Sequence, residues 1–143
     1  MLFRSSARIG TVPDAVQVGP KVCLINKYSA SDGDLFPWGF RALGLGKLIG
    51  TRTWGGIVGI SGSLPYMDGT DIRVPFFTSF DPKTGSWIIE NHGVDPDILI
   101  DNDPVKEWNG EDQQLDRAIQ EVMKELQNRK PLPGVPTPRD FSK

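Results

Sequence analysis

Short, nearly continuous apolar runs alternate with polar turns along most of this sequence. The runs "KVCLIN" (residues 21–26) and "KLIGT" (residues 47–51) are typical of strands that are covered on both faces. Between them, the helical spacing of apolar residues in "LFPWGFRALG" predicts a helix that begins just after Ser31 and stops at Gly44 and Gly46. This stretch is therefore expected to form a strand–helix–strand unit whose two strands pair in parallel.

The second half of the chain predicts further strands, short turns and one long helix. Strands are expected at "GGIVGI", "IRVPFFTSF" and "SWIIEN", with turn signals at "MDGT" and "DPKTG". The segment "HGVDPDILI" is expected to be a turn that leads into a short extended stretch, because Asp95 precedes Pro96. Near the end, one helical stripe carries the apolar residues Leu115, Ala118, Ile119, Val122, Met123 and Leu126.

The two ends of the chain lack such patterns. Residues 1–18 show no clear period, and we expect an irregular lead-in there, at the cut end of a larger domain. Residues 131–143, "PLPGVPTPRDFSK", contain four prolines and are expected to be an extended tail. The 143 residues are enough for one domain with a core, which we expect over residues 19–130.

Composition argues against several classes of partner. The net charge is −2 and no run of lysines and arginines occurs, so the clustered positive charge of a nucleic-acid site is absent. No apolar stretch approaches the ~20 residues of a membrane span, and "MLFRSSARIG" lacks the apolar core of a signal peptide. Cys23 is the single cysteine, which excludes an internal disulfide framework and a multi-cysteine zinc site, and we expect a buried free thiol.

A polar knot of two serines and two aspartates, "KYSASDGD" (residues 27–34), separates the first predicted strand from the helix. Its first interpretation is a helix cap without chemistry, which the pattern alone favours. Its second is a nucleophilic serine at a sharp turn, where the N–H groups of the first helical turn could hold an oxyanion. The pattern leaves both interpretations open.

Four separated blocks, in order along the chain, resemble one enzyme family. They are "INKYSASDGD", "LGLGKLIGTRTWGGIVGI", "IIENHGVDPDI" and "GEDQQLDRAIQEVMKEL", and together they span from about Gly19 to Leu126. The family is the S41 serine peptidases, in particular their tricorn-like branch. The resemblance implies an α/β, layered strand–helix–strand fold of the kind shared with crotonase-like and ClpP-like proteins. It also implies a cytoplasmic homo-oligomer that cleaves peptides or unfolded chains without a metal or organic cofactor.

The resemblance also assigns roles to three residues. Ser31, which precedes the Asp-Gly of the motif, corresponds to the family's nucleophile, and the backbone N–H of Asp32 to an oxyanion donor. Glu90 in "IIEN" corresponds to the acid of a Ser-His-Ser-Glu tetrad, which acts through a second serine to orient the histidine. This follows the usual logic of nucleophile, base and orienting group.

The general base of the tetrad has no counterpart among the residues of this chain. Processing peptidases of the same family use a lysine in a "TxGKG"-like turn, and Gly56 of "TWGGI" stands at that position here. The resemblance therefore implies the tricorn-type histidine, which with its preceding serine and a second oxyanion donor lies in an upstream segment that this chain does not contain. His92 is the single histidine and is interpreted as a turn residue. We expect the chain alone to be inert or nearly so.

Two alternatives remain at this point. One is a non-catalytic remnant of the S41 fold that serves assembly or peptide binding, because half of the active site is absent. The other is acyl-CoA chemistry on the crotonase-like scaffold, against which the serine-aspartate-glycine knot argues.

Several other residues have plain interpretations. Four aspartates lack the spacing and glycine of a calcium loop, so we expect a solvated acidic edge at Asp95, Asp97, Asp101 and Asp103. Three aromatic residues are expected in the core, namely Trp38, Phe40 and Trp87. Arg52 and Trp54 could touch a peptide or pack against the sheet, and neither is assigned a role.

Overall fold

The structure, a computed structural model, describes residues 16–62 and 64–134 and mixes helices with strands. Its elements are β1 (Val22–Ile25), α1 (Asp32–Ala42), β2 (Lys47–Gly50), β3 (Gly59–Gly62), β4 (Arg73–Phe77), β5 (Ile98–Leu99), α2 (Pro104–Trp108) and α3 (Gln113–Gln127). The predicted α/β class is confirmed. Most of the predicted lead-in and tail lies outside the described residues. Within the described ranges, no helix is both long and apolar enough to cross a bilayer.

The main sheet has three parallel strands in the order β1–β2–β5. In its register Leu24 lies opposite Ile49, and Ile49 pairs on its other side with Ile98. Since α1 connects β1 to β2, the predicted strand–helix–strand unit with parallel strands is confirmed. The short extended stretch predicted in "HGVDPDILI" is β5.

Helices α1 and α3 lie on opposite faces of this sheet. Successive side chains of a strand point to opposite faces, and β1 contacts each helix through a different set of them. Ile25 and Leu48 point towards α1 and pack in the main core cluster with Phe40. Val22 and Leu24 point the other way and line an apolar groove with α3. The predicted amphipathic helix near the chain end therefore meets the sheet through part of its apolar stripe. Ala118 is buried there, whereas Leu115, Ile119 and Met123 stay about half exposed along the groove.

Helix α1 begins where the sequence predicts, but it buries different residues. Asp34, Pro37 and Phe40 are its buried positions, whereas Leu43, one of the apolar residues in "LFPWGFRALG" whose spacing predicts the helix, is 74% exposed. The helix ends at Ala42, so Leu43 lies past the turns that pack on the sheet. A carboxylate takes the first inward position, because backbone N–H groups of a neighbouring segment meet it there.

The second sheet is an antiparallel hairpin of β3 and β4. "GGIVGI" (residues 55–60) predicts a strand that begins at Gly55, but β3 begins only at Gly59. The delay has a physical cause, since the N–H groups of residues 55–58 donate to side-chain carboxylates and cannot join a ladder.

The strand predicted at "SWIIEN" is wrong. Trp87 forms only an isolated bridge with Phe80. Two residues later the chain turns, because the N–H groups of His92 and Gly93 both donate to the carbonyl oxygen of Ile89. A tight turn at this point ends any strand ladder.

Two of the three aromatic residues predicted in the core are found there. Phe40 is 7% exposed, and Trp38 packs against the same cluster while partly buried. Trp87 is 71% exposed, so its assignment to the core is wrong. Its bridge to Phe80 belongs to an irregular segment outside the cluster, and apolar character alone does not reveal that position.

A buried carboxylate ties α3 to the start of β2. Glu121 is 4% exposed, and its two oxygens accept from Lys47 Nζ and Arg117 Nη2, each at 2.6 Å. The hydrogen bond from Lys47 lowers the pKa of Glu121 below its ordinary 4.5. The same bond raises the pKa of Lys47 above its ordinary 10.5. Both shifts favour the charged forms, so this pair stabilises the contact between helix and sheet.

We expect Glu121→Gln to lower the melting temperature near neutral pH. A carboxyl whose folded pKa is depressed stabilises the fold above its unfolded pKa, and this contribution is lost as the pH falls through the folded value. The difference between variant and wild type should therefore narrow below pH 4.5, the ordinary value for this group. Thermal melts followed by circular dichroism at a series of pH values test this. Glu107→Gln, on exposed α2, is the control, and a gap that stays constant into acid would contradict the prediction.

Candidate active site

Ser31 occupies the corner between the loop that follows β1 and the first turn of α1. Its backbone has φ 56° and ψ −111°, and the residue is exposed. A positive φ is uncommon for a residue with a side chain, and such strain concentrates at functional sites. A strained strand-to-helix turn that exposes a serine is also the geometry in which many nucleophilic serines are held.

The N–H groups around this corner have distinct orientations. The N–H of Ser31 donates to Asp34 Oδ2 at 2.9 Å and to the carbonyl oxygen of Gly56 at 3.1 Å. The N–H of Gly33 donates to the carbonyl oxygen of Ala30 at 2.8 Å. Within the described ranges, the N–H of Asp32 has no acceptor. A free N–H at the first residue of a helix, with the dipole behind it, suits an incoming negative charge.

Residues 55–58 run alongside the corner and connect it to Glu90. Gly55 and Gly56 donate their N–H groups to Asp34, at 2.8 and 3.2 Å. Ile57 and Val58, the next two residues, donate to Glu90 Oε2 at 2.7 and 3.0 Å. Four consecutive backbone N–H groups therefore bind two carboxylates. Ser31 and Glu90, which are far apart in the sequence, are anchored to neighbouring positions of one segment.

Glu90 is half-buried, and its two oxygens differ. Oε2 accepts both N–H groups of residues 57–58, whereas Oε1 accepts no hydrogen bond from any residue that the structure describes. A carboxylate can accept about four hydrogen bonds. Glu90 is thus fixed through one oxygen and has the other available for a further donor.

His92 lies in the turn predicted for it. Its Nε2 is 2.7 Å from Asp95 Oδ2, and both side chains are more than half exposed. No contact links its ring to Ser31 or Glu90 within the described residues. The single histidine of the chain is therefore engaged with a carboxylate beside β5.

The comparisons with known proteins agree with the sequence and the fold. The model of peptidase family S41 matches residues 5–100. The chain belongs to peptidase family S41. The tricorn protease of Thermoplasma acidophilum is 46% identical over 110 residues, which are 77% of this chain and 10% of that protein. Tricorn protease homolog 1 of Streptomyces coelicolor is 42% identical over 107 residues, or 75% of this chain and 10% of the homolog.

A solved structure supports the same relationship. The crystal structure of the tricorn protease matches with a TM-score of 0.68 and 46% identity, over 75% of this chain and 10% of that one. This S41 chain therefore spans about a tenth of the length of the relatives that it matches.

The space around Gly56 shows whether a side chain, such as the lysine of the processing peptidases, would fit there. A Cβ atom built on Gly56 would lie 2.1 Å from the ring of Trp54, so a side chain there requires the indole to move. On the other side, a Cβ on Gly55 would lie 2.4 Å from the backbone nitrogen of Gly93. The S41 chain is thus closely packed at Gly56, the residue that the sequence resemblance matches to that lysine, and Trp54 covers it.

The four aspartates predicted as a solvated edge have individual partners. Asp97 accepts the N–H of Leu48 at 2.7 Å, Asp103 caps α2, and Asp101 lies 4.0 Å from Lys27 Nζ. In the part of the chain that the structure describes, no group of three or more His, Cys, Asp or Glu side chains is placed to hold a metal ion.

Half-burial raises the pKa of the Cys23 thiol, which disfavours its reactive thiolate form.

Sequence reasoning missed Asp34. This residue is 0% exposed and accepts three backbone N–H groups, but the sequence analysis treated it only as a member of the polar knot. A signal existed, because an acidic residue three positions after a serine at a helix start is typical of a capping box. The contacts with residues 55–56 could not be predicted, because they depend on the tertiary fold.

Proposed function

We propose that this chain is the C-terminal catalytic portion of a tricorn-like serine peptidase that hydrolyses peptide bonds in peptides or unfolded chains. The observation that carries the proposal is the strained, exposed Ser31 beside the free N–H of Asp32 at the start of α1. Family membership supports the reaction class, and the geometry of the corner supports these two residues as its reactive end.

In the proposed reaction, Ser31 Oγ attacks the scissile carbonyl carbon while its proton passes to the base. The carbonyl oxygen becomes an oxyanion, and the N–H of Asp32 donates to it. Preorganised donors of this kind lower the barrier because the charge develops where they already point. The dipole of α1, an eleven-residue helix, adds to the positive potential at that place.

Glu90 supports the base in this proposal rather than acting on the substrate. Its Oε2 is anchored by residues 57–58, and its free Oε1 would accept from a second serine that in turn orients the histidine. The histidine, that serine and a second oxyanion donor would come from an upstream portion of the peptidase. His92 has no part in this scheme, since it is paired with Asp95.

The tricorn-like resemblance supplies the remaining parts of the proposal. They are assembly into a homo-oligomer, a cytoplasmic location, a layered fold of the crotonase-like kind, and chemistry that requires neither a metal nor an organic cofactor. The alternative is a non-catalytic remnant of the S41 fold that binds peptides or serves assembly. The two functions differ in one testable respect, which is whether Ser31 can be made reactive.

Labelling with a fluorophosphonate tests the function. The reagent should form a bond between its phosphorus and Ser31 Oγ, with loss of fluoride, in the completed peptidase. The completed peptidase is this chain joined to an upstream portion, encoded before Met1 or grafted from the Thermoplasma acidophilum tricorn protease in place of its matching segment. We expect the label on Ser31 by peptide mass mapping there, and little or none on the chain alone. An unlabelled Ser31 in both forms would favour the non-catalytic remnant.

A further inference from the structure

Asp34 is a buried carboxylate that the proposed reaction does not use. Its side chain is 0% exposed, so it has lost its contact with water. Burying a charged group is costly unless hydrogen bonds replace those it made with water. Three N–H groups, of Ser31, Gly55 and Gly56, replace it here, at 2.9, 2.8 and 3.2 Å.

The chemistry of these contacts suits a carboxylate and no other side chain of that size. All three neighbours are donors, and an ionised carboxylate offers only acceptors. An amide at the same place would turn its NH₂ group towards at least one of the N–H groups. Oδ1 takes Gly55 alone, while Oδ2 takes both Ser31 and Gly56.

We propose that Asp34 is a positioning residue of the peptidase, which holds Ser31 in its strained conformation and fixes it to the segment that anchors Glu90. This rests on the proposed function of Ser31. A residue at φ 56° persists only when its surroundings over-determine it. Asp34 provides that restraint, because it holds the Ser31 N–H inward while its other contacts fix residues 55–56.

The same restraint determines which N–H group can serve the oxyanion. The Ser31 N–H is engaged by Asp34 and by the carbonyl oxygen of Gly56, so it points away from a substrate. The next N–H along the chain, that of Asp32, is left free. Without Asp34 the corner can relax, and Ser31 Oγ and the Asp32 N–H lose their fixed relation. Misplacement by about 1 Å can cost a reaction about 10²-fold.

The first test follows the hydrogen bonds themselves and needs no activity. In the full ¹⁵N-labelled chain, Asp34→Asn should reduce amide-exchange protection by about tenfold or more at whichever of Ser31, Gly55 and Gly56 its NH₂ group faces, since the amide oxygen serves only one side of this contact. Protection at Ile49 in β2 should stay the same. Equal loss of protection at Ile49 would show that Asp34 only stabilises the whole domain, and it would overturn the positioning role.

The second test follows reactivity in the completed peptidase. Asp34→Asn should slow fluorophosphonate labelling of Ser31 by about 10²-fold at equal folded fraction. The matched control is Asp97→Asn, which removes another carboxylate that accepts a backbone N–H, from Leu48, and that pairs with Arg41 in the last turn of α1, at the end of the helix opposite to Ser31. It should label within about twofold of wild type, since it lies outside this restraint.

The possible outcomes distinguish the positioning role of Asp34 from the proposed peptidase function. If wild type is labelled and Asp34→Asn reacts at the same rate, the positioning role is overturned while the peptidase function stands. If wild type is never labelled, the function fails and the role of Asp34 in it fails as well. The exchange measurement still reports whether the three hydrogen bonds exist.

Discussion

Ser31→Ala is expected to abolish peptide hydrolysis by the completed peptidase. Removing the nucleophile of a serine peptidase lowers kcat by on the order of 10⁶-fold, because the remaining groups act only around it. Folding should be unaffected, since Ser31 is exposed and its backbone N–H and carbonyl oxygen, which alanine keeps, make its contacts with Asp34, Leu35 and Gly56. Cleavage of a fluorogenic peptide, with circular dichroism to confirm the fold, provides the measurement.

Ser29→Ala is the matched control for this variant. Ser29 lies in the same knot, and its Oγ makes only long contacts with Asn26, at 3.3 and 3.4 Å. Its carbonyl oxygen accepts the N–H of Trp54, and alanine preserves that bond. We expect activity close to wild type. Full activity of Ser31→Ala, or complete loss with Ser29→Ala alone, would mean that the wrong serine has been assigned.

Local pattern was enough to predict the part of the fold that holds Ser31. The apolar runs on either side of the knot and helix specify two parallel strands, and the helical spacing between them specifies α1, so the serine had to lie at a corner. Only β2 is covered on both faces as predicted, because β1 lies at the edge of the sheet and its Leu24 is 42% exposed. Gly44 and Gly46 also predicted correctly that the helix ends near them. Because each of these signals acts over a few neighbouring residues, the sequence was sufficient for that region.

Long-range hydrogen bonds explain where the predictions failed. The apolar residues of "GGIVGI" and "SWIIEN" predict strands, yet the N–H groups of residues 55–58 bind Asp34 and Glu90 instead of a neighbouring strand. Glu90 itself lies at the turn that ends the second of these segments. Such partners lie more than twenty residues apart, so no local pattern reveals them.

In the candidate site, too, the sequence indicated individual residues but not the long-range contacts between them. Family resemblance pointed to Ser31 and Glu90 as members of one tetrad, but it did not show which contacts hold the two in place. The structure shows such contacts, since residues 55–58 are bound by Asp34 at one end and by Glu90 at the other. Sequence reasoning finds side chains with chemistry more easily than the buried groups that position them.

Substitutions of Glu90 can distinguish its anchoring contact with residues 57–58 from its proposed role in catalysis. Its Oε2 alone accepts both N–H groups of residues 57–58. The amide oxygen of Glu90→Gln can take this place, while its NH₂ replaces Oε1 and cannot accept from a serine. We therefore expect Glu90→Gln to fold with wild-type stability but to lose peptidase activity by about 10²–10⁴-fold, as when the acid of a triad is neutralised.

Glu90→Ala should differ from Glu90→Gln in stability but not in activity. Alanine leaves the N–H groups of Ile57 and Val58 without an acceptor, at a cost of about 1–3 kcal/mol for a buried donor. Urea unfolding should therefore show a lower midpoint for Glu90→Ala alone, whereas peptide hydrolysis should fall in both variants. If Glu90→Gln retained wild-type activity, the anchoring contact would be the whole role of this residue. The free oxygen would then have no part in orienting a base, and the tetrad assignment of Glu90 would have to be given up.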